Sequence, residues 1–247
     1  MATTPKPDTG RYAVIKFFNK PIVDKILALV NYDQLTNGLD SLNNSIKKQD
    51  TATVRKLKNN REFTGKAFSD KVFEIKQPEV FSMPWVEFTY PKRISNIIYS
   101  SMKKGGYYRP HLDGENLGHF STTIFLAHPN TYKGGELELY LNGELKEFKL
   151  RPGYGVVYET GIPHQVKEVI TGERKVLCFW TTSKIPCMPD LYEYRGWQNY
   201  GKSFLANKKG SFYPQTPDDV ATSLEEFMEK KPVQALNAMS YIARKHS

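Results

Sequence analysis

From about residue 107 to residue 181 the chain is a succession of short β-prone runs closed by turn residues, and none of it carries a helical apolar period. The runs fall at about 107–112, 120–127, 135–141, 145–150, 155–159, 164–169 and 174–181, each bounded by Gly, Pro, Asn or a charged cluster. Asn142-Gly143 stands between two alternating runs, which is the strongest short-range signal for a two-residue hairpin. Two earlier stretches share the texture: 71–76 (KVFEIK) alternates, and 95–101 (SNIIYSS) is rich in branched and aromatic residues. So many short strands without intervening helices close into a sandwich or barrel, not into an α/β sheet. The expected fold class is mainly β with flanking helices.

The flanks read differently. In 21–31 (PIVDKILALVN), Pro21 suits a first helical position, and Ile22, Ile26, Leu29 and Val30 recur at threes and fours. A more polar helix is expected at about 51–59. After 185 the pattern dissolves into a loop with Pro186, Pro189, Gly196 and Gly201. Thr216 and Pro217 then cap a helix running to about Met228, and Pro232 starts another that ends near Arg244. Residues 1–10 are a loose tail. The rest, 11–247, is expected to be one domain: a helical N-terminal support (11–85), a β-core (about 86–185) and a C-terminal loop with helices (186–247).

Composition narrows the class. Hydrophobic residues make up 39% and aromatics 13%, enough for one core and too many for a disordered chain. The two cysteines, Cys178 and Cys187, form no disulfide framework and no CxxC motif, which fits a reducing cytoplasm. The N-terminus lacks a signal-peptide apolar run, and nothing approaches the roughly 18 apolar residues of a membrane span, so no membrane partner is expected. The formal charge of +9 suits anionic partners or a solvated basic surface. Part of it is local, with Arg55, Lys56, Lys58 and Arg61 forming one patch and Lys103–Lys104 and Lys208–Lys209 smaller pairs.

The densest chemistry lies in 108–113 (YRPHLD). In a strand, residues two apart share a face, so His111 and Asp113 present an imidazole and a carboxylate to one point. These are two of the three ligands of a facial 2-His-1-carboxylate site, which leaves positions open on non-haem Fe(II). His164 is the candidate third, from a distant strand. Taken singly each has a duller reading, a strand-end or turn histidine hydrogen-bonded to a neighbour. Arg174 follows ten residues after His164, across Thr171-Gly172-Glu173. Its planar fork would pair with a buried carboxylate bidentately, whereas a surface ion pair with Glu168 is the plainer alternative. The stretch reads as a hairpin whose two strands carry His164 and Arg174, and a two-residue turn puts them on opposite faces. An odd-length loop or a bulge is then required.

Together these residues resemble the Fe(II)/2-oxoglutarate dioxygenases of prolyl 4-hydroxylase type. The resemblance runs from about 94 to 183 and rests on 106–113 (GYYRPHLD), 121–126 (STTIFL), 132–137 (YKGGEL), 151–158 (RPGYGVVY), the spacing of His164 and Arg174, and 180–183 (WTTS). It implies a double-stranded β-helix (jelly-roll) core, Fe(II), 2-oxoglutarate as cosubstrate, O2, and ascorbate as reductant. It places His111, Asp113 and His164 on the metal and Arg174 on the distal carboxylate of 2-oxoglutarate. It also places Tyr99 on that carboxylate, Thr123 against 2-oxoglutarate from the barrel wall, and Tyr108 and Trp180 along the substrate pocket. For these last, core packing is the alternative. Related halogenases lack the carboxylate, so Asp113 favours hydroxylation. The implied substrate is a peptidyl proline or another protein side chain, with a small molecule or amino acid as the alternative. A nucleic-acid demethylase of the same superfamily would suit the charge, but its further arginine motif is not found. A non-catalytic barrel that keeps the site by descent is the remaining reading.

Overall fold

In a computed structural model, residues 11–42, 56–76, 83–195, 241–242 and 244–246 are described. They fall into two compact units, one ending at Ser183 and one beginning at Lys184.

The first unit is built on two antiparallel sheets. Its strands are β1 (Tyr12–Lys16), β2 (Thr36–Asn37), β3 (Lys58–Asn59), β4 (Arg61–Thr64), β5 (Pro91–Ile94), β6 (Ile98–Lys103), β7 (Tyr107–His111) and β8 (Phe120–Phe125). They continue as β9 (Lys133–Gly134), β10 (Leu137–Leu141), β11 (Glu144–Phe148), β12 (Tyr154–Glu159), β13 (His164–Val166), β14 (Val169–Thr171) and β15 (Glu173–Ser183). The large sheet runs β1-β12-β8-β15-β6-β4-β2, with β5 also on β15. The small sheet runs β11-β10-β13-β7-β3, and β14 pairs with β9. This is the expected jelly roll. The Asn142-Gly143 hairpin is present: both residues have positive φ (52° and 81°), and Leu141 faces Glu144 across the two-residue loop.

The core lies between the sheets. Phe125, Val156 and Val176 from the large sheet meet Leu137, Leu139 and Val166 from the small one. Leu139 is fully buried, so truncating it to alanine should cost on the order of 2–5 kcal/mol. The outer face of the large sheet is covered as well. Phe179 packs edge-on against Phe17 and Trp85, with centroids 6.5 and 6.0 Å away. This second covering explains why every residue of β8 is buried, and why that strand reads as a continuous apolar and hydroxyl run and not as an alternation.

Three N-terminal expectations are corrected. The stretch 71–76 is not a strand but the end of helix α2 (Lys66–Lys76), which follows the first helix, α1 (Lys20–Ala28). Phe68 and Val72, four apart, are the buried pair, and Lys66 bridges Asp70 at 2.6 Å, so a helical period begins before the window in which alternation shows. The expected helix at 51–59 has its first part outside the described residues, and Lys58–Asn59 is a strand. The support at 11–85 is not purely helical, since β1 adds to the large sheet beside β12, and β3 and β4 extend both sheets. A third helix, α3 (Met83–Thr89), carries Trp85.

In the second unit residues 188–195 are helical, and Asp190 holds Lys245 at 2.7 Å. The expected helix at 216–228 lies outside the described residues. Of that at 232–244, only 241–242 and 244 are described, and they are helical. No helix of the described residues is long and apolar enough to cross a membrane. Both cysteines are free.

Candidate metal centre

Strand β7 ends at His111, and its neighbour β13 begins at His164; the two histidines are paired across the ladder. The strand expected to reach 112 ends at His111, so Asp113 lies two residues past β7, yet it reaches the same point. The ligand atoms of His111, Asp113 and His164 all lie within 4.8 Å of one another. His111 Nε2 is 3.7 Å from Asp113 Oδ1, and His164 Nε2 is 3.6 Å from Asp113 Oδ2.

Each side chain is held from behind. His111 Nδ1 is 2.8 Å from the Arg109 carbonyl, and His164 Nδ1 is 2.9 Å from the Ile162 carbonyl. A ring nitrogen that donates to a carbonyl fixes the tautomer and leaves Nε2 as a lone pair toward the centre. Asp113 Oδ2 accepts from Ser121 Oγ at 2.6 Å and from Trp180 Nε1 at 2.8 Å. Tyr108 stacks on His111, with centroids 3.6 Å apart and planes at 16°. Burial, with the neighbouring His164, pushes the His111 pKa down to about 4, only partly opposed by Asp113. The imidazole is therefore neutral near pH 7, as a metal ligand must be. Two imidazole nitrogens and a carboxylate oxygen facing one point fit a facial Fe(II) donor set.

The triad opens on a cavity of about 500 Å3 that Arg174 also lines. Arg174 is 2% exposed, its Nε has no hydrogen-bond partner, and no carboxylate among the described residues lies within ion-pairing distance. The alternative of a surface pair with Glu168 is thereby removed. Burial pulls its pKa down. A guanidinium so placed lacks a counter-anion, and a dicarboxylate fits that lack. Room for it depends on Gly135, at φ +70°, where a Cβ would meet Arg174 Cδ at 3.1 Å. Cys178 and Thr123 line the same wall, and burial pushes the Cys178 thiol up to about 11.

The expected hairpin between His164 and Arg174 does not exist. β13 belongs to the small sheet, paired with β7 and β10, and β15 belongs to the large one, paired with β6 and β8. Both residues face the space between the sheets, so no odd loop is needed to bring them together.

Tyr99 is the second correction. On β6 it faces Leu177 of β15, whereas Met102 faces Arg174. Residues 99 and 102 lie on opposite faces of the strand. Tyr99 is fully buried on the outer face, edge-on to Tyr32 at 6.2 Å, and does not line the cavity. Thr123, Tyr108 and Trp180 do line it.

The basic patch is also redrawn. Lys58 is 5% exposed and bridges Glu62 at 2.9 Å inside the cavity wall. Arg61 bonds the Leu35 carbonyl, Lys103 and Lys104 are exposed, and Arg55, Lys208 and Lys209 lie outside the described residues. Ser121, Tyr158, Asn60 and Glu62 were not foreseen in the site. Ser121 had a signal, since it is two residues before Thr123 on one strand and so shares its face.

Residues 97–182 match the family model of the 2OG-Fe(II) oxygenase superfamily. A PKHD-type hydroxylase of Maricaulis maris is 35% identical over 137 residues, 53% of this chain and 63% of that protein. The chain thus spans less than two thirds of that relative's length. The crystal structure of a Pseudomonas putida prolyl-4-hydroxylase superposes with a TM-score of 0.50 at 16% identity, covering 71% of this chain and 94% of that one. A Trichoplax adhaerens prolyl hydroxylase in complex with a hypoxia inducible factor oxygen degradation domain peptide fragment gives 0.50 at 13% identity, covering 71% and 85%. At such identities the structures speak to the shared fold alone.

Proposed function

We propose that this chain, whose residues 97–182 form a 2OG-Fe(II) oxygenase domain, is an Fe(II)- and 2-oxoglutarate-dependent hydroxylase of a peptidyl proline or another protein side chain. The observation that carries the reading is a single cavity lined by both the His111–Asp113–His164 cluster and a buried, uncompensated Arg174. With 2-oxoglutarate and O2, bound Fe(II) supplies the oxidation that turns a C–H into a C–OH and releases succinate and CO2.

The chain supplies geometry. His111 and His164 offer Nε2 because their Nδ1 atoms are tied to backbone carbonyls. Asp113 would hold the metal by its carboxylate, which Ser121 and Trp180 steady through Oδ2. Arg174 receives the distal carboxylate of the cosubstrate, with Thr123 beside it on the barrel wall. Tyr108 and Trp180 flank the triad and present apolar surface to the substrate. Leu112, 60% exposed next to the ligands, forms part of the rim.

A protein substrate is favoured over nucleic acid because Lys58, counted in the basic patch, is buried against Glu62. Ascorbate as reductant and a cytoplasmic setting complete the reading, and two free cysteines suit that setting.

The test is succinate formation by anaerobically reconstituted protein given Fe(II), 2-oxoglutarate, ascorbate and O2, with and without proline-containing peptides. Slow release accelerated by a peptide is the expected result. Release that no peptide stimulates would redirect the substrate to small molecules, and no release with no Fe(II) binding would overturn the reading.

A further inference from the structure

The cavity has a second polar wall, set apart from the triad and Arg174. It is made by Lys58, Asn60, Glu62 and Ser100, of which the first three are 5%, 7% and 5% exposed. Lys58 sits on β3 of the small sheet and Glu62 on β4 of the large one, and their 2.9 Å ion pair spans the open side of the sandwich. Glu62 Oε1 accepts from Lys58 Nζ and, at 2.8 Å, from Asn60 Nδ2, which also donates to Ser100 Oγ at 2.8 Å. Lys58 Nζ further donates to Ser41 Oγ at 2.9 Å. Two oxygens of the wall, Glu62 Oε2 and Asn60 Oδ1, are buried and have no hydrogen-bond partner among the described residues.

Register fixes where this wall stands. Glu62 pairs with Ser100, and Ser100 pairs with Val176, which lies between Arg174 and Cys178 on β15. Two strand spacings put the Glu62 backbone about 9–10 Å from that of Val176 within the large sheet. A cosubstrate held by Arg174 over β15 leaves this wall, two strands away, free. Lys58 also stands 5.1 Å over the ring of Tyr108, which stacks on His111, so the wall and the metal centre share one aromatic partition.

A buried carboxylate oxygen without a donor is costly, and the natural relief is a ligand that brings one. The Lys58–Glu62 pair is already neutral, so an added ammonium would find no uncompensated charge, and an anion would meet the lone pairs of Oε2. A neutral N–H meets neither objection. We infer that Glu62, braced by Lys58, Asn60 and Ser100, is a specificity residue that accepts a neutral amide N–H of the substrate. As regards the substrate, the inference rests on the hydroxylase reading above.

The test is an NMR titration of the isotope-labelled full chain, without iron or 2-oxoglutarate. Acetamide, which offers N–H, is compared with N,N-dimethylacetamide, which has the same carbonyl and no N–H. Acetamide is expected to shift the Glu62 and Ser100 backbone signals saturably, with an affinity on the order of tenfold above its methylated analogue. Glu62→Gln should abolish or invert that preference. If Glu62→Gln does not fold, the paired change Lys58→Met with Glu62→Leu fills the wall without stranding a charge, and it should abolish the preference too. Equal affinities, no saturable shift with either probe, or a preference that survives both variants would overturn the inference and leave Glu62 Oε2 to water. Failure of the titration with succinate release intact sinks the subsite alone. Loss of release with the titration intact sinks the oxygenase and keeps the cavity's amide wall.

Discussion

Trp180 Nε1 donates to Asp113 Oδ2 over 2.8 Å, so an indole on the large sheet steadies the carboxylate that follows the small sheet's metal-facing strand. Ser121 Oγ donates to the same oxygen at 2.6 Å. With both donors on one oxygen, the carboxylate plane is set, with Oδ1 facing His111 and Oδ2 facing His164.

Trp180→Phe and Ser121→Ala should each weaken metal binding by roughly tenfold, since groups that orient a ligand typically carry that much affinity. Fe(II) or Zn(II) titration of the purified variants measures this. Asp113→Ala, by contrast, should abolish turnover outright. Wild-type affinity in both clamp variants would show that Asp113 needs neither donor.

Arg174→Ala should raise the 2-oxoglutarate requirement by at least about tenfold while leaving metal affinity nearly unchanged, because it removes one partner of a buried charge pair and touches no ligand. Succinate release at limiting and saturating 2-oxoglutarate, beside a metal titration, separates the two effects. Full activity at limiting 2-oxoglutarate would refute the assignment.

The metal-free protein should lose stability as pH falls. His111 titrates near 6.5 when unfolded and near 4 when folded, chiefly because it is buried. Between those values the unfolded state binds more protons, so stability is in place above pH 6.5 and drains away toward pH 4. Thermal melts of apo protein at pH 7, 5.5 and 4.5 should show a falling Tm, and His111→Gln should flatten that slope. A pH-independent Tm in the wild type would contradict the burial of this imidazole.

Gly135→Ala should destabilise the fold by about 1–2 kcal/mol, the usual cost of a side chain at positive φ. It should also impair the cosubstrate site, because the new Cβ would crowd Arg174 Cδ and Tyr132. The expected signature is a raised 2-oxoglutarate requirement at unchanged metal affinity. A variant that is merely less stable, with normal kinetics, would mean that Arg174 shifts aside freely.

Local patterns were legible in the sequence where the determinant is itself local. The strand texture of 107–181, the Asn142-Gly143 turn, the His111–Asp113 spacing and the apolar face of α1 all need only a few consecutive residues. What escaped was set by pairing. Whether Tyr99 or Ser100 faces the cavity depends on which of them lies opposite Val176, and nothing within 95–101 encodes that parity. Lys58 reads as a surface charge because its partner Glu62 lies on the next strand, in the other sheet. His164 and Arg174 read as a hairpin because they are ten residues apart, whereas the chain between them passes through β14, which pairs with β9.

That crossing has a metrical consequence. With His164 on one sheet and Arg174 on the other, the gap between imidazole and guanidinium is set by how far apart the sheets pack, about 10 Å in a sandwich, and not by any loop. In the hydroxylase proposed above, the core residues that hold the sheets apart, Leu139 and Val176 among them, would act as the spacer of a calliper that gauges the length of a diacid. Thinning that core would retune which chain length the jaws accept, without altering a residue that touches it.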